Sequence, residues 1–378
     1  MTNRPPQLPF GTRLRAAMDQ FGPLCVGIDP HSGLLTKWGL TDDVAGLREF
    51  SFTVLDALSG QVAAVKPQVA FFERFGSPGI AVLEDVIRYA RELNTLCVVD
   101  AKRGDIGSTM AGYADAFLRE GSSLAGDAVT LSPYLGFGSL QPAIDTALAN
   151  GRGVFVLCLT SNPEGASVQH AVSPTTSGTV AAEIAAAAGA VNREFLATRP
   201  MPQGAVSGSD FSHSPADWRR ESQVGPLTIR PRRSERWSFS GSMPPVGPAG
   251  TVGSVGSVER NGNSLSPLGP SQMGPSPLGK SPLGKSPLGP IGLVVGATIG
   301  DAVATTGTDL AELNGPILAP GVGAQGAGAD ELKAVFGDAR QFVLASSSRE
   351  ILNAGPNKAD LLGAAQKAAF EAATALRD

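Results

Sequence analysis

The sequence lacks the features that mark secreted, disulfide-bonded and membrane-spanning proteins. It contains only three cysteines, Cys25, Cys97 and Cys158, and each lies inside an apolar run with no Cys-x-x-Cys neighbour. An odd number without metal-ligand spacing argues against a disulfide framework or a zinc site, so we expect small buried thiols in a reducing compartment. No apolar run approaches the roughly 20 residues of a membrane helix. Residues 1–20 lack the apolar core of a secretory signal, and these absences together predict a cytoplasmic protein.

The sequence also lacks a strong excess of charge of either sign. It has 30 Lys and Arg against 34 Asp and Glu, a formal net charge of −4. This balance gives no reason to expect nucleic acid or a membrane surface as a partner. The hydrophobic fraction is 42% and the charged fraction 17% over 378 residues, which is enough for one large core or two smaller ones.

Eight short apolar runs have the length of strands and mostly end in polar or glycine-rich clusters. They are near-continuous in hydrophobicity, which is typical of strands buried on both faces of a parallel sheet. The runs span residues 24–29, 63–66, 96–102, 128–132, 154–160, 291–298, 316–320 and 342–346. Apolar residues at helical spacing fill most of the intervals, at 44–58, 79–93, 107–119, 139–149, 179–196 and 327–336.

Eight repeats of strand and then helix predict an α/β fold of the (β/α)8 type, the TIM barrel, whose usual size is roughly 250 residues. A doubly wound open sheet is the structural alternative. It more often has five or six strands and a Gly-x-Gly-x-x-Gly motif after the first of them. Here the first run ends in Gly27-Ile28-Asp29-Pro30 and carries no such motif.

A segment rich in Pro, Gly and Ser, from about residue 201 to 290, interrupts the connection between the fifth helix and the sixth strand. It repeats Ser-Pro-Leu-Gly four times and holds nine basic against five acidic residues. Such a composition buries too little apolar area to offset the entropy of ordering, so we expect disorder. The domain organisation is then a barrel made of residues 1–200 and 291–378, with residues 201–290 either a tolerated surface insertion or an arm for an acidic partner or RNA.

The most informative stretch ends the third predicted strand and holds Asp100, Lys102 and Asp105. Because residues two apart in a strand share a face, Asp100 and Lys102 should project together at the strand's C-terminal end, where barrel active sites lie. Asp105 follows in the loop, and Lys66, which ends the second strand, can extend the network. A buried ion pair is the structural alternative, but such pairs add little net stability because desolvation offsets attraction.

This charged stretch indicates proton-transfer chemistry. Carboxylates beside an ammonium group favour its charged form, so we expect Lys102 to stay protonated. A lysine held as a cation can stabilise a developing carbanion and then donate a proton to it. It is a poor candidate for a Schiff base, which needs a neutral amine.

The loops after strands 7 and 8 carry an anion-binding pattern. Residues 320–328 read Pro-Gly-Val-Gly-Ala-Gln-Gly-Ala-Gly, whose backbone N–H groups can approach a phosphate, and a helix N-terminus follows. Arg349, after strand 8, supplies a planar fork that matches phosphate oxygens. Asp29 can accept hydrogen bonds from sugar hydroxyls, and residues 160–165 offer hydroxyl and amide groups for a heterocycle, although each could simply cap a helix.

With these motifs the sequence resembles the orotidine 5′-phosphate decarboxylase family, most closely its type 2 branch of actinobacteria. The resemblance covers about residues 8–200 and 291–378. The motifs are Gly27-Ile28-Asp29-Pro30, Val65-Lys66-Pro67-Gln68, Asp100-Ala101-Lys102-Arg103-Gly104-Asp105-Ile106-Gly107-Ser108-Thr109, Ser132-Pro133-Tyr134-Leu135-Gly136, Thr160-Ser161-Asn162-Pro163, Pro320-Gly321-Val322-Gly323 and Ser348-Arg349-Glu350.

The resemblance implies decarboxylation of orotidine 5′-monophosphate to UMP by a homodimer with shared active sites. Lys102 would be the proton donor to C6 of the pyrimidine, and Asp100 would lie against the substrate carboxylate. Asp105 and Thr109 would enter the neighbouring subunit's site. The resemblance implies no metal, pyridoxal phosphate or other cofactor.

The resemblance also assigns the substrate contacts. Asp29 and Lys66 would bind the ribose hydroxyls, and Ser161 would read the pyrimidine edge. Gly323, Gln325 and Arg349 would hold the phosphate.

Two alternative functions stay open. Hexulose-phosphate synthase and ketogulonate-phosphate decarboxylase share the Asp-x-Lys-x-x-Asp signature but need magnesium, and their second strand has a carboxylate where this sequence has Lys66. A non-enzymatic barrel that binds a partner through its insertion would tolerate Lys102→Ala.

The family has only a short connection where residues 201–290 lie, at the bottom of the barrel, so we expect the insertion to be catalytically neutral.

Overall fold

The chain forms a closed barrel of eight parallel strands, seen in a computed structural model that describes residues 8–174, 176–198, 287–322 and 326–377. Neighbouring strands follow chain order, and the first pairs with the eighth to close the barrel. The strands are β1 (Leu24–Ile28), β2 (Ala64–Pro67), β3 (Leu96–Arg103), β4 (Ala128–Leu131), β5 (Gly153–Leu159), β6 (Ile291–Val295), β7 (Ile317–Pro320) and β8 (Val343–Ser347). The predicted (β/α)8 barrel is confirmed, and the doubly wound alternative is wrong.

Helices surround the barrel between the strands. They are α1 (Phe10–Phe21), α2 (Ser32–Lys37), α3 (Val44–Leu58), α4 (Ala70–Glu73), α5 (Gly76–Glu92), α6 (Gly107–Leu118), α7 (Gln141–Ala149), α8 (Ala166–Gln169), α9 (Val180–Thr198), α10 (Ala302–Thr306), α11 (Ala329–Phe336), α12 (Arg349–Leu352) and α13 (Lys358–Ala375). The predicted helices agree with α3, α5, α6, α7, α9 and α11 to within a few residues. The predicted helices all lie between two strands. They therefore do not include α1, which precedes β1, or α13, which follows β8. None of the helices in the described ranges is long and apolar enough to cross a membrane.

Burial explains why the strands have continuous hydrophobicity. Every residue of β1, β2, β4 and β6 is buried, since one face of each strand fills the barrel and the other lies under the helices. The helices show the complementary pattern of one apolar face. In α3, for example, Leu47, Phe50 and Val54 are buried, and the helix begins where Asp43 accepts a hydrogen bond from the Gly46 N–H at 2.9 Å.

The first helix covers the bottom of the barrel, the end opposite the strand C-termini. Phe10 in α1 is fully buried and packs edge-to-face on Phe155 of β5, with ring centroids 5.9 Å apart. The same ring lies against Gly153, where a Cβ atom would overlap it. A glycine is therefore required at the start of β5 because α1 approaches so closely.

The chain re-enters the barrel from the insertion at this bottom end. Leu288 is buried, and Pro290 accepts a hydrogen bond from the Val154 N–H at 3.2 Å. The buried Asn192 of α9 bonds both the N–H and the carbonyl of Ile291, at 3.0 and 2.7 Å. Residues 287–290 thus belong to the barrel. The rest of the predicted insertion, with its predicted disorder, lies outside the described residues.

Candidate active site

The C-terminal ends of the strands bring most of the sequence-predicted residues to one mouth of the barrel. Lys66 belongs to β2, and Asp100 and Lys102 belong to β3. Asp29 directly follows β1, and Arg349 lies two residues after the end of β8. Because all strands are parallel, these ends meet at the same side of the barrel. The mouth therefore carries a mixed set of acidic and basic side chains.

Asp100 is the centre of this set. It is 5% exposed, and its two oxygens accept four hydrogen bonds. Oδ1 accepts from Lys102 Nζ at 2.6 Å and from Thr130 Oγ1 at 2.8 Å. Oδ2 accepts from Lys66 Nζ at 3.0 Å and from Gln68 Nε2 at 2.9 Å. Each oxygen thus receives one ammonium group and one neutral donor, which fixes the carboxylate in position and orientation.

The electrostatics of the cluster keep its charges in place. Burial alone would raise the pKa of the Asp100 carboxyl, but the charges of Lys66 and Lys102 outweigh burial and lower this pKa to about 2. Burial also acts to lower the pKa of Lys66, yet the negative charges of Asp100 and Asp29 raise it above its ordinary value. At neutral pH, Asp100 is therefore a carboxylate and Lys66 an ammonium group.

The two lysines differ in their access to solvent. The side chain of Lys66 is 10% exposed and that of Lys102 is 45% exposed. Of these two lysines, Lys102 thus combines contact with the buried carboxylate and a side chain that solvent can reach. The ammonium group of Lys102 can therefore donate a proton to a bound molecule, whereas the buried ammonium group of Lys66 stabilises the negative charge of Asp100.

The backbone at Lys102 departs from a regular strand. Its φ is +47°, in the left-handed region that non-glycine residues rarely adopt. The pairing of β3 with β4 is irregular at the same place, since Val99 pairs with Val129 but Arg103 pairs with Leu131. Alternation along a strand predicts that Asp100 and Lys102 share a face, and in the structure they touch through this irregular segment.

Asp105 and Thr109 lie apart from the Asp100 cluster. Asp105 follows β3, and its Oδ1 accepts a hydrogen bond from the Ile106 N–H at 2.8 Å. Within the part of the chain that the structure describes, it forms no ion pair with Lys102. Thr109 is exposed on the first turns of α6. Within one chain the charged network consists of Asp100, Lys66 and Lys102, and it includes neither Asp105 nor Thr109. The predicted place of Asp105 and Thr109 in a neighbouring subunit's site stays a prediction.

The predicted substrate-binding residues surround the mouth. Asp29 carries a buried Oδ1 that has no hydrogen-bond partner among the described residues, so this oxygen is free to accept one. Ser161 is exposed after β5 and lies beside Gly296. Arg349 is exposed at the start of α12. Gly323 and Gln325 lie outside the described residues.

The helix after the glycine-rich loop differs from the expected anion site. Asp330 and Glu331 occupy the first turn of α11, and Glu331 accepts a hydrogen bond from the Gly328 N–H at 2.9 Å. These carboxylates offset the favourable polarity of the helix N-terminus toward an anion. Arg349 is thus the stronger phosphate candidate in the described part of this region, because it brings a full positive charge to the neighbouring strand end.

Two residues of the cluster, Gln68 and Thr130, escaped the sequence analysis. Gln68 stands two positions after Lys66, which is the spacing that places both on one face of an extended segment. Thr130 is the one polar residue in the buried run Ala128–Leu131. The sequence could have indicated both residues, because a buried polar side chain in a barrel strand requires a hydrogen-bond partner. No group of three potential metal-ligating side chains occurs among the residues described.

Comparisons with known proteins show which family the chain belongs to. The profile of the orotidine 5′-phosphate decarboxylase / HUMPS family matches residues 22–218. Curated orotidine 5′-phosphate decarboxylases from Salinispora arenicola and Streptomyces coelicolor are 43% and 42% identical, each over 97% of this chain and 98% of the relative. A crystal structure of a Streptomyces avermitilis protein with a provisional orotidine 5′-phosphate decarboxylase name has a TM-score of 0.71 and 41% identity, covering 100% of this chain and 99% of that one.

These matches confirm the family suggested by the sequence motifs. The chain is an α/β-barrel protein with a lysine–aspartate charge network at the barrel mouth, and it belongs to the orotidine 5′-phosphate decarboxylase / HUMPS family.

Proposed function

We propose that the protein decarboxylates orotidine 5′-monophosphate to UMP, a step of de novo pyrimidine biosynthesis. The shared name of the curated relatives, at 43% and 42% identity over nearly the full chain, supports this substrate. The observation that carries the chemistry is the contact of Lys102 Nζ with the ionised Asp100 at 2.6 Å, at an open mouth of the barrel. A cation held there can stabilise negative charge on a bound ring.

The reaction needs one bond broken and one proton delivered. The bond between C6 and the carboxylate carbon breaks, carbon dioxide leaves, and the electron pair stays on C6. The ammonium group of Lys102 stabilises this carbanion and gives it a proton, and the neutral amine then recovers a proton from water.

Asp100 contributes to this reaction through its charge. Because the Asp100 carboxyl is ionised, it repels the substrate carboxylate that lies against it. This repulsion ends when carbon dioxide departs, so it raises the ground state more than the transition state.

Substrate binding uses groups around the same mouth. Asp29 Oδ1, buried and without a partner in the described chain, accepts a hydrogen bond from a ribose hydroxyl, and Lys66 supplies the neighbouring cation. Arg349 binds the phosphate together with Gly323 and Gln325, and Ser161 contacts the pyrimidine edge. The binding energy of the distant phosphate closes the site and contributes to the transition state.

The magnesium-dependent members that the sequence left open fit this mouth less well. A magnesium-dependent member would need a carboxylate at the end of β2. This chain has Lys66 there, and the ammonium group of Lys66 is paired with Asp100 at 3.0 Å. A cation at this position opposes a second cation. The charge network thus favours the decarboxylase without a bound metal.

A second copy of the chain completes the site in this proposal. The loops after β3 and β4 expose three large apolar side chains, Ile106, Tyr134 and Leu135, which are 61%, 78% and 53% exposed. Asp105 directly precedes Ile106 in this apolar patch. Covering the patch with the same patch of a second copy removes apolar area from water and carries Asp105 and Thr109 toward the partner's site.

Mixing two inactive variants tests the shared site. Lys102→Ala and Asp105→Ala should each be inactive alone, but in a heterodimer one of the two sites has both wild-type residues. If subunits exchange randomly, about half of the dimers are mixed and about a quarter of all sites recover. No recovery after verified subunit exchange, or a monomer in light scattering, contradicts the shared dimer.

The proposed activity is tested by mixing the purified protein with orotidine 5′-monophosphate and excess chelator. The orotate absorbance should fall as UMP forms, at the same rate with and without the chelator. A protein that leaves the absorbance unchanged, or that needs added Mg²⁺, contradicts the proposal. The cytoplasmic location remains a prediction from the sequence.

A further inference from the structure

Thr130 occupies an unusual place in the ladder between β3 and β4. Val129 pairs with Val99 and Leu131 pairs with Arg103, so the single residue Thr130 lies opposite three residues of β3, 100–102. A regular ladder would give the Lys102 N–H a backbone acceptor. Here the acceptor is the Thr130 side chain, whose Oγ1 receives this N–H at 2.9 Å.

The same hydroxyl also bonds the central carboxylate. Thr130 Oγ1 donates to Asp100 Oδ1 at 2.8 Å, and the residue is 1% exposed. One buried hydroxyl therefore accepts from the backbone of Lys102 and donates to Asp100, which uses both of its hydrogen-bonding roles. It links the lysine and the carboxylate without touching the ammonium group.

The bond from the Lys102 N–H to Thr130 Oγ1 holds the backbone of Lys102 and leaves its side chain free to move. The backbone N–H is held at a φ of +47°, a conformation that persists only when the surroundings impose it. The side chain is 45% exposed, and its ammonium group rests on Asp100 Oδ1. When that group moves toward a substrate, Asp100 Oδ1 keeps the Thr130 hydroxyl as a donor.

We infer that Thr130 is a positioning residue, which fixes the left-handed backbone turn of Lys102 and keeps Asp100 in place while the lysine ammonium serves the substrate. The inference rests on the proposed decarboxylation. Thr130 itself contacts only Lys102 and Asp100 among these groups, so its effect should fall on turnover and not on substrate binding.

The test compares Thr130→Val, which removes the hydroxyl at nearly constant shape, with Thr130→Ser, which keeps it. We expect Thr130→Val to lower kcat by about 10- to 100-fold with KM changed less than about threefold, and Thr130→Ser to stay within about threefold of the wild type. Titration with UMP by calorimetry should still show one site per chain for both variants, so a loss of folded protein cannot imitate a loss of kcat.

Thr306→Val is the matched control. Thr306 is also a buried threonine, 4% exposed, but its hydroxyl lies 2.6 Å from the Ala302 carbonyl of α10 and 2.7 Å from the Thr308 hydroxyl, away from the charged network. Thr306→Val should lower the melting temperature while kcat is unchanged. A Thr130→Val enzyme with wild-type kcat, or a loss confined to KM, overturns the inference.

A crystal structure of Thr130→Val provides a reading that does not depend on activity. We expect the Lys102 φ to leave the left-handed region and Nζ to lose its place on Asp100 Oδ1. A Lys102 backbone that keeps its φ near +47° and its 2.6 Å contact overturns the inference even if the protein has some other substrate. Conversely, a wild-type enzyme that does not act on orotidine 5′-monophosphate refutes the proposed function alone.

Discussion

Replacing Asp100 by Asn removes the charge that two ammonium groups share while keeping the size of the side chain. In the wild type, the pKa of this carboxyl is lowered from 3.8 to about 2, and a shift of that size corresponds to about 2 kcal/mol of stability. Breaking a buried ion pair by removing one partner costs about 3–5 kcal/mol, because the other charge stays uncompensated. We therefore expect the free energy of unfolding at pH 7 to fall by about 2–5 kcal/mol.

The pH dependence of this loss gives a sharper test. In the wild type, the pKa of Lys66 is raised, so its stabilising contribution is present below the ordinary value of 10.5 and is lost only as the pH rises through the higher folded value. Without Asp100, the negative charge of Asp29 is the main group left to oppose burial, so we expect the pKa of Lys66 to fall below that ordinary value. The unfolded variant then binds more protons than the folded one, so the stability of Asp100→Asn should rise between pH 7 and pH 10 while that of the wild type stays nearly constant.

Urea unfolding followed by circular dichroism at several pH values measures both effects. Asp145→Asn is the matched control, because Asp145 is exposed on α7 and its side chain accepts a hydrogen bond, among the described residues, from Gln141 alone, at 2.8 Å. It should change stability by less than about 0.5 kcal/mol. An Asp100→Asn protein as stable as this control at pH 7, or one whose deficit does not shrink with rising pH, would refute the charge network described above.

Three further predictions follow from the same structure. Arg349→Ala should lower kcat/KM by about 30- to 100-fold, mainly through KM, and Arg349→Lys should lose less; equal kinetics would exclude a phosphate contact. Replacing residues 201–286 by a short Gly/Ser linker should leave kcat/KM within about twofold, and a large loss would assign the segment a catalytic role. A thiol reagent should label three cysteines only after unfolding, because burial raises the pKa of Cys25 and Cys158 to about 12 and also raises that of Cys97; rapid labelling of the native protein would contradict this.

The barrel was predictable because its strands are buried on both faces. Continuous apolar runs between helical segments have few other interpretations, and the eight predicted runs fall within a few residues of β1 to β8. The helices α1 and α13 were harder to predict because, among the described residues, no strand precedes α1 and none follows α13, so neither lies between two strands of the α/β repeat. The close approach of Phe10 to Gly153 is likewise a tertiary contact without a local signal.

The charge network was only partly predictable. Strand alternation places Asp100 and Lys102 together, but the irregular pairing with β4 and the positive φ of Lys102 arise from contacts between strands. Thr130 acquires its role in that irregular segment, so composition shows only that it is a polar residue in an apolar run. The role of Asp105 could not be derived from one chain, because it depends on how a second subunit packs against the barrel mouth.

A single-turnover experiment on Lys102→Ala with orotidine 5′-monophosphate tests whether Lys102 stabilises and protonates C6. Since the Lys102 side chain is about half exposed, the variant should fold, bind UMP with nearly the wild-type stoichiometry, and release carbon dioxide at least about 1,000-fold more slowly than the wild type. A Lys102→Ala enzyme that forms UMP within about tenfold of the wild-type rate would show that another group stabilises and protonates C6.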